Sequence, residues 1–199
     1  MRYAALTIST LAHPFLLPLY LLFITFNSGT MFSLTPGYAQ ATAYALTIMG
    51  VVLVPLLSIP ILKYFKMIEH VDMRHRQDRI VPLFITVVSV FVIFYLSRKI
   101  PYLEIVRQIY LVLVVWLSGF MLVTIRWKIS MHMSAMGALC GFVFILGVKY
   151  MGAVSDLLMF FFLVAGLLGF SRIYLKCHTP AQVYAGFLYG FALVTLILI

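Results

Sequence analysis

The chain has 199 residues, of which 64% are hydrophobic and only 10% charged, and its mean hydropathy is +1.12. Soluble domains carry about 25% charged residues, so this composition excludes a soluble enzyme, a disordered chain and a coiled coil, while two cysteines, Cys140 and Cys177, are too few for a disulfide scaffold or a zinc ribbon. The net charge of +9 sits in short loops rather than along one stripe, which points to anionic lipid headgroups or a phosphorylated substrate and away from nucleic acid.

A bilayer core takes roughly 20 apolar residues per helix. Long apolar runs without short alternating segments predict an all-α, polytopic transmembrane helix bundle and not a β-barrel. Six to seven spans are expected, at about 4–26, 41–65, 80–97, 107–126, 130–149, 155–173 and 180–199, the third being short. The opening MRYAALTISTLAHP has one Arg and no small-residue cleavage site, so it reads as the first span rather than a signal peptide. A tight turn around Met151-Gly152 joins the fifth and sixth spans. With no linker, repeat or low-complexity stretch, residues 1–199 read as a single integral membrane domain.

The loops are unequal. Asn27 to Gln40 carries no charge, whereas Lys63 to Arg79 holds Lys63, Lys66, Glu69, Asp72, Arg74, Arg76, Asp78 and Arg79 with His70 and His75. Seven spans would place ten basic residues on one face and four on the other. The positive-inside rule puts the ten-charge face in the cytoplasm. Setting aside Arg76, Arg79, Lys128 and Arg172 as anion binders leaves six against four, which gives no direction.

Three polar clusters interrupt the apolar background: DMRHRQDRIVP at 72–82, WKISMHMSAMGA at 127–138 and SRIYLKCHTPAQVYAGFLYG at 171–190. They fall after the second, fourth and sixth spans, so an even number of crossings separates each pair and all three emerge on one face. Arg79, Lys128 and Arg172 offer fixed positive charge, and an Arg fork matches phosphate oxygens in pairs. His132 and His178 offer imidazoles that titrate near neutral pH. Ser130 offers a hydroxyl and lies near a helix start, where unpaired N–H groups can face an anion. Two histidines and several cations at a membrane surface suit phosphoryl transfer, one imidazole attacking phosphorus and the other protonating the leaving oxygen. Plainer roles exist for each. Thr179-Pro180 is by itself a helix start that would place His178 at an interface. Arg74, Arg76 and Arg79 suit headgroup binding. His13, beside Pro14 within the first span, suits a kink or a supporting place in a pocket. Gly137 with Gly141, and Gly186 with Gly190, are small-residue pairs that favour tight helix contact. A disulfide between mid-span Cys140 and loop-end Cys177 is not expected.

The third cluster resembles the type-2 phosphatidic acid phosphatase superfamily of membrane lipid phosphatases. That family's third motif is Ser-Arg, five residues, His, three residues, Asp; here Ser171-Arg172 precedes His178 by the same spacing, and Gln182 stands in the Asp position. The second motif, Pro-Ser-Gly-His, is matched by Ser130 and His132 within Ile129-Ser130-Met131-His132 but lacks the Pro and Gly. The first motif, Lys, six residues, Arg-Pro, finds Arg79, with Pro82 displaced by two positions and Asp72 where the Lys belongs. The chain is also similar to small multi-span proteins of Bacteroidetes that carry an early His-Pro, here His13-Pro14, and an Arg-x-x-Arg-x-x-Pro cluster.

The resemblance implies a hydrolase of the bacterial inner membrane that uses no metal or other cofactor, and the sequence offers no carboxylate-rich metal cluster. His178 would be the nucleophile, passing through a phosphohistidine, and His132 the general acid. Arg172, Arg79, Ser171 and the Ser130 backbone would bind the phosphoryl oxygens, with Lys128 or Arg76 in place of the missing Lys. Gln182 would orient His178 as an acceptor without charge. The expected substrate is a lipid phosphate or isoprenyl pyrophosphate, whose headgroup meets the site while its tail stays among membrane lipids. The alternative is a catalytically impaired member that binds an anionic lipid or a protein partner in the inherited pocket. No paired broken helices or inverted repeat favour a transporter.

Overall fold

Prolines and glycines decide how the apolar runs are divided and how closely they pack. A computed structural model describes residues 1–68, 77–151 and 154–199. The helices are α1 (Arg2–Leu11), α2 (Leu17–Asn27), α3 (Gly37–Thr47), α4 (Val54–Tyr64), α5 (Ile80–Ser97), α6 (Glu104–Arg126), α7 (Met131–Tyr150), α8 (Ser155–Tyr174) and α9 (Pro180–Leu198). Among the described residues there is no strand, and seven helical segments are long and apolar enough to cross a membrane: Arg2–Asn27, Gly37–Tyr64, Gln77–Ser97, Glu104–Arg126, Met131–Tyr150, Ser155–Tyr174 and Pro180–Leu198. The protein is thus an all-α, multi-pass integral membrane protein. The chain forms two compact units, one of Met1–Leu34 with Ile129–Ile199 and one of Thr35–Lys128.

In the first unit the leading segment is broken at its middle. Pro14 has no N–H and disfavours helical backbone at the residue before it, and His13 is accordingly extended, at φ −68° and ψ 136°. A short 3-10 turn, Pro14–Leu16, follows before α2 begins. The break leaves few loose ends, because the Tyr20 hydroxyl donates to the Leu11 carbonyl at 2.8 Å. The chain after the break packs on α7, and α1 packs on α8.

The closest pairing in the unit is α7 against α9, and it is made by glycine. A Cβ at Gly137 would overlap the Phe187 carbonyl oxygen, and one at Gly190 would overlap that of Ser134. One at Gly141 would lie 2.8 Å from the Phe191 carbonyl oxygen, and one at Gly186 would lie 2.6 Å from that of Ser130. Lipid tails are as apolar as leucine, so burial alone does little to drive helices together in a bilayer; close backbone approach at small residues does. The two glycine pairs therefore face each other's helix inside the fold. α7 is the most enclosed helix, with 72% of its most apolar window buried against 44% or less in the others.

The second unit holds α3 to α6. A π-helical turn, Ile48–Leu53, separates α3 from α4, just ahead of Pro55. Proline clashes with the carbonyl four residues earlier in a regular helix, and a wider turn moves that carbonyl aside. The carbonyl of Gly50, inside this turn, accepts the Ser89 hydroxyl from α5. The Tyr110 hydroxyl of α6 lies 2.8 Å from Thr47 Oγ1 and donates to the Ala43 carbonyl at 3.1 Å. Val90, Ile93, Ile109, Leu113, Trp116 and Phe120 fill the space between.

Candidate functional site

Residues 171–182, which carry the Ser-Arg and His spacing, are the local grammar of one helix ending and another beginning. α8 ends in a Schellman turn: Cys177 N–H donates to the Arg172 carbonyl at 3.1 Å and Lys176 N–H to that of Ile173 at 2.9 Å. Lys176 takes the left-handed position of that turn, at φ +54°. His178 comes next, then the N-cap Thr179, whose side chain accepts Gln182 N–H at 3.4 Å, then Pro180 at the first helical position. The five intervening residues are thus what is needed to finish α8 and turn His178 back beside Arg172.

Gln182 completes a capping box, and this sets the proton on His178. Its Oε1 accepts the Thr179 backbone N–H at 3.2 Å. A backbone N–H is always a donor, so the amide oxygen, not the amide nitrogen, must face it. The same oxygen lies 3.1 Å from His178 Nδ1. Nδ1 must therefore carry the hydrogen, and the lone pair of the neutral ring lies on Nε2. Gln182 thus supplies the orientation expected of it.

The two histidine-bearing helix starts are joined by main chain. Ser130 N–H donates to the Gln182 carbonyl at 3.1 Å, across the gap that Gly186 leaves open. This corrects the expectation that the Ser130 backbone faces an anion: its N–H is already used, its hydroxyl oxygen caps α7 through Met133 N–H, and the residue is fully buried. Ser171 is corrected in the same way. Its hydroxyl donates to the Leu167 carbonyl at 2.7 Å, one turn back in α8, and the side chain is buried.

His132, in the first turn of α7, hydrogen-bonds to the backbone carbonyl of Ser9. Three groups lie close enough for their charges to act on its ring: Arg172, His13 and His178. The His13 ring meets that of His132 edge to face, with centroids 5.2 Å apart and planes at 84°. Arg172 acts on His13 as well. Arg172 Nε is shut away from solvent with no hydrogen-bond partner among the described residues, as is Ser9 Oγ. Among the described residues, every charged or titratable group acting on His132 is a cation or can become one, and no carboxylate is among them. A guanidinium donor buried without an acceptor is costly. An anion would satisfy it.

The fold therefore brings His132, His178, Arg172 and Gln182 together. It adds His13 and the Ser9 carbonyl, which the sequence reading left in a supporting place or missed. A histidine held extended before proline, with a free N–H two residues on, was the available signal. Arg79 and Lys128 belong to the second unit, Arg79 just before α5 and Lys128 between α6 and Ile129. Arg76 and the rest of its cluster from Glu69 lie outside the described residues, as does Gly152. Among the described residues no group of three His, Cys, Asp or Glu side chains is placed to hold a metal ion. No protein-family model, curated protein or solved structure matches this chain.

Proposed function

We propose that the protein is a membrane-embedded phosphatase of the type-2 phosphatidic acid phosphatase kind, acting on a lipid phosphate or isoprenyl pyrophosphate in a bacterial inner membrane. The observation that supports it is the gathering of two oriented imidazoles and a guanidinium whose buried Nε has no hydrogen-bond partner among the described residues. His178 Nε2 attacks phosphorus, the P–O bond to the lipid breaks, and His132 gives its proton to the departing oxygen. Water then attacks the phosphohistidine, His132 takes a proton from it, and inorganic phosphate leaves with His178 restored. Arg172 holds the equatorial oxygens, and the phosphate's own charge favours the imidazolium form of His132 as it binds. The test is phosphate release from phosphatidic acid and isoprenyl pyrophosphates by the purified chain in detergent, with and without His178→Ala. Turnover that survives in a folded His178→Ala variant excludes the nucleophile.

Gln182 favours a second reading, an anionic-lipid binder that no longer turns over. Losing the carboxylate of a catalytic triad costs about 10⁴-fold when the wrong tautomer results, but here the tautomer is already set, so only the charge is missing. Gln182→Glu keeps the oxygen and the capping box and adds that charge. The phosphatase reading expects a slow wild type and a gain of about tenfold in Gln182→Glu, read as initial rates. Activity found only in the Glu variant favours the binder.

A further inference from the structure

We propose that His13 is a third imidazole of the phosphoryl site, donating its Nε2–H to an oxygen of the bound phosphate; this rests on the phosphoryl-site reading above. The proline break fixes the ring. His13 Nδ1 accepts Phe15 N–H at 3.3 Å, so Nδ1 holds no hydrogen and the neutral ring carries its proton on Nε2. The far edge of the ring is a donor in a set tautomer. It is also the part of the side chain remote from the cap, and the ring lies against His132 and within electrostatic range of Arg172.

Its depth fits the site, although it stands near the middle of an apolar stretch. His13 touches His132 at the start of α7, and Phe32 packs edge to face on Tyr150 at the end of α7, with ring centroids 4.8 Å apart. The chain from His13 to Phe32 therefore runs the length of α7, about 30 Å at 1.5 Å per residue. His13 is level with the end of the unit where α7 and α9 begin and α8 stops. α1, which precedes it, packs on α8. A phosphate offers more acceptor oxygens than Arg172 alone can serve. A neutral imidazole adds a donor without adding a further positive charge beside Arg172.

The two ends of the ring can be tested separately. His13→Asn places an amide oxygen where Nδ1 caps Phe15 N–H and removes the far donor. His13→Gln carries an amide nitrogen out to the Nε2 position. The full chain, purified in detergent with ¹⁵N-labelled histidine, is titrated with inorganic phosphate. Expected are a shift of the His13 Nε2–H resonance, phosphate binding weakened about tenfold in His13→Asn with thermal stability retained, and binding largely restored in His13→Gln. An unmoved Nε2–H signal, or His13→Asn binding phosphate like the wild type, overturns the proposal. If phosphate binds and shifts His13 but no lipid phosphate is turned over, the phosphatase reading falls and this one stands. If the wild type and His13→Asn turn over lipid phosphates equally, this one falls alone.

Discussion

The two units gather different polar groups between their helices. In the unit of α3 to α6 hydroxyls meet one another and carbonyls across the helices: Tyr110 with the Thr47 hydroxyl and the Ala43 carbonyl, and Ser89 with the Gly50 carbonyl. The same unit also buries the Thr124 hydroxyl and the Asp78 carboxyl, the latter just ahead of α5. The unit of α1, α2 and α7 to α9 instead collects imidazoles and a guanidinium around His132, and among the described residues the buried Arg172 Nε has no acceptor. Neutral hydroxyl bonds in a membrane are worth about 0.6 kcal/mol each, whereas a single guanidinium N–H shut from water without an acceptor costs more. Paired hydroxyls hold helices together. A guanidinium N–H shut away from water is a group that an anion would satisfy.

The sharpest way to break this contrast is at the α7–α9 contact. Gly190→Ala sets a methyl group against the Ser134 carbonyl, and Gly137→Ala sets one against that of Phe187. Each is expected to cost about 3 kcal/mol in unfolding from mixed micelles, and to lower activity further by parting Ser130 from Gln182. Gly166→Ala on α8, with open space around it, serves as the matched control. In the other unit, Tyr110→Phe removes both hydroxyl contacts. A loss of about 1 kcal/mol is expected with phosphate release unchanged; a large fall in turnover would show that the hydroxyl pairing is more than scaffolding. The smallest effect is shared. Lys66 and Lys176 each occupy the left-handed position of a Schellman turn, at φ +57° and +54°. Lys66→Gly and Lys176→Gly should each stabilise by about 0.5 kcal/mol, measured as a rise in the unfolding midpoint, because glycine takes that conformation freely.

Much of the fold was readable from hydropathy, since a lipid-facing helix must be apolar throughout. The second segment starts at Gly37, earlier than the expected start near 41, because Pro36 opens the helix ahead of the strongly apolar run. Thr179-Pro180 announced α9, and the paired glycines announced a close helix contact, though not which helices meet. The π turn at Ile48–Leu53 had only Pro55 as a local sign. In the site, His178, Arg172 and Gln182 were legible because their spacing is local. Ser130 was misread because its N–H is taken by Gln182, 52 positions away, and no local pattern reports such a bond. His13 lies within the Arg2–Asn27 segment, as expected, but its contact with the His132 ring, 119 positions away, has no local sign.

The bond from Ser130 to Gln182 has one more consequence. It runs from main chain to main chain, so no substitution other than proline at Ser130 deletes it. The distance between the two histidine-bearing helix starts is thereby insulated from mutation at both of its own anchor points. Its weak point is Gly186, which takes no part in the bond and carries no chemical group at all. A saturation scan of Ser130, Gln182 and Gly186 should find the harshest penalty at the glycine, a position that an inspection of reactive side chains would pass over.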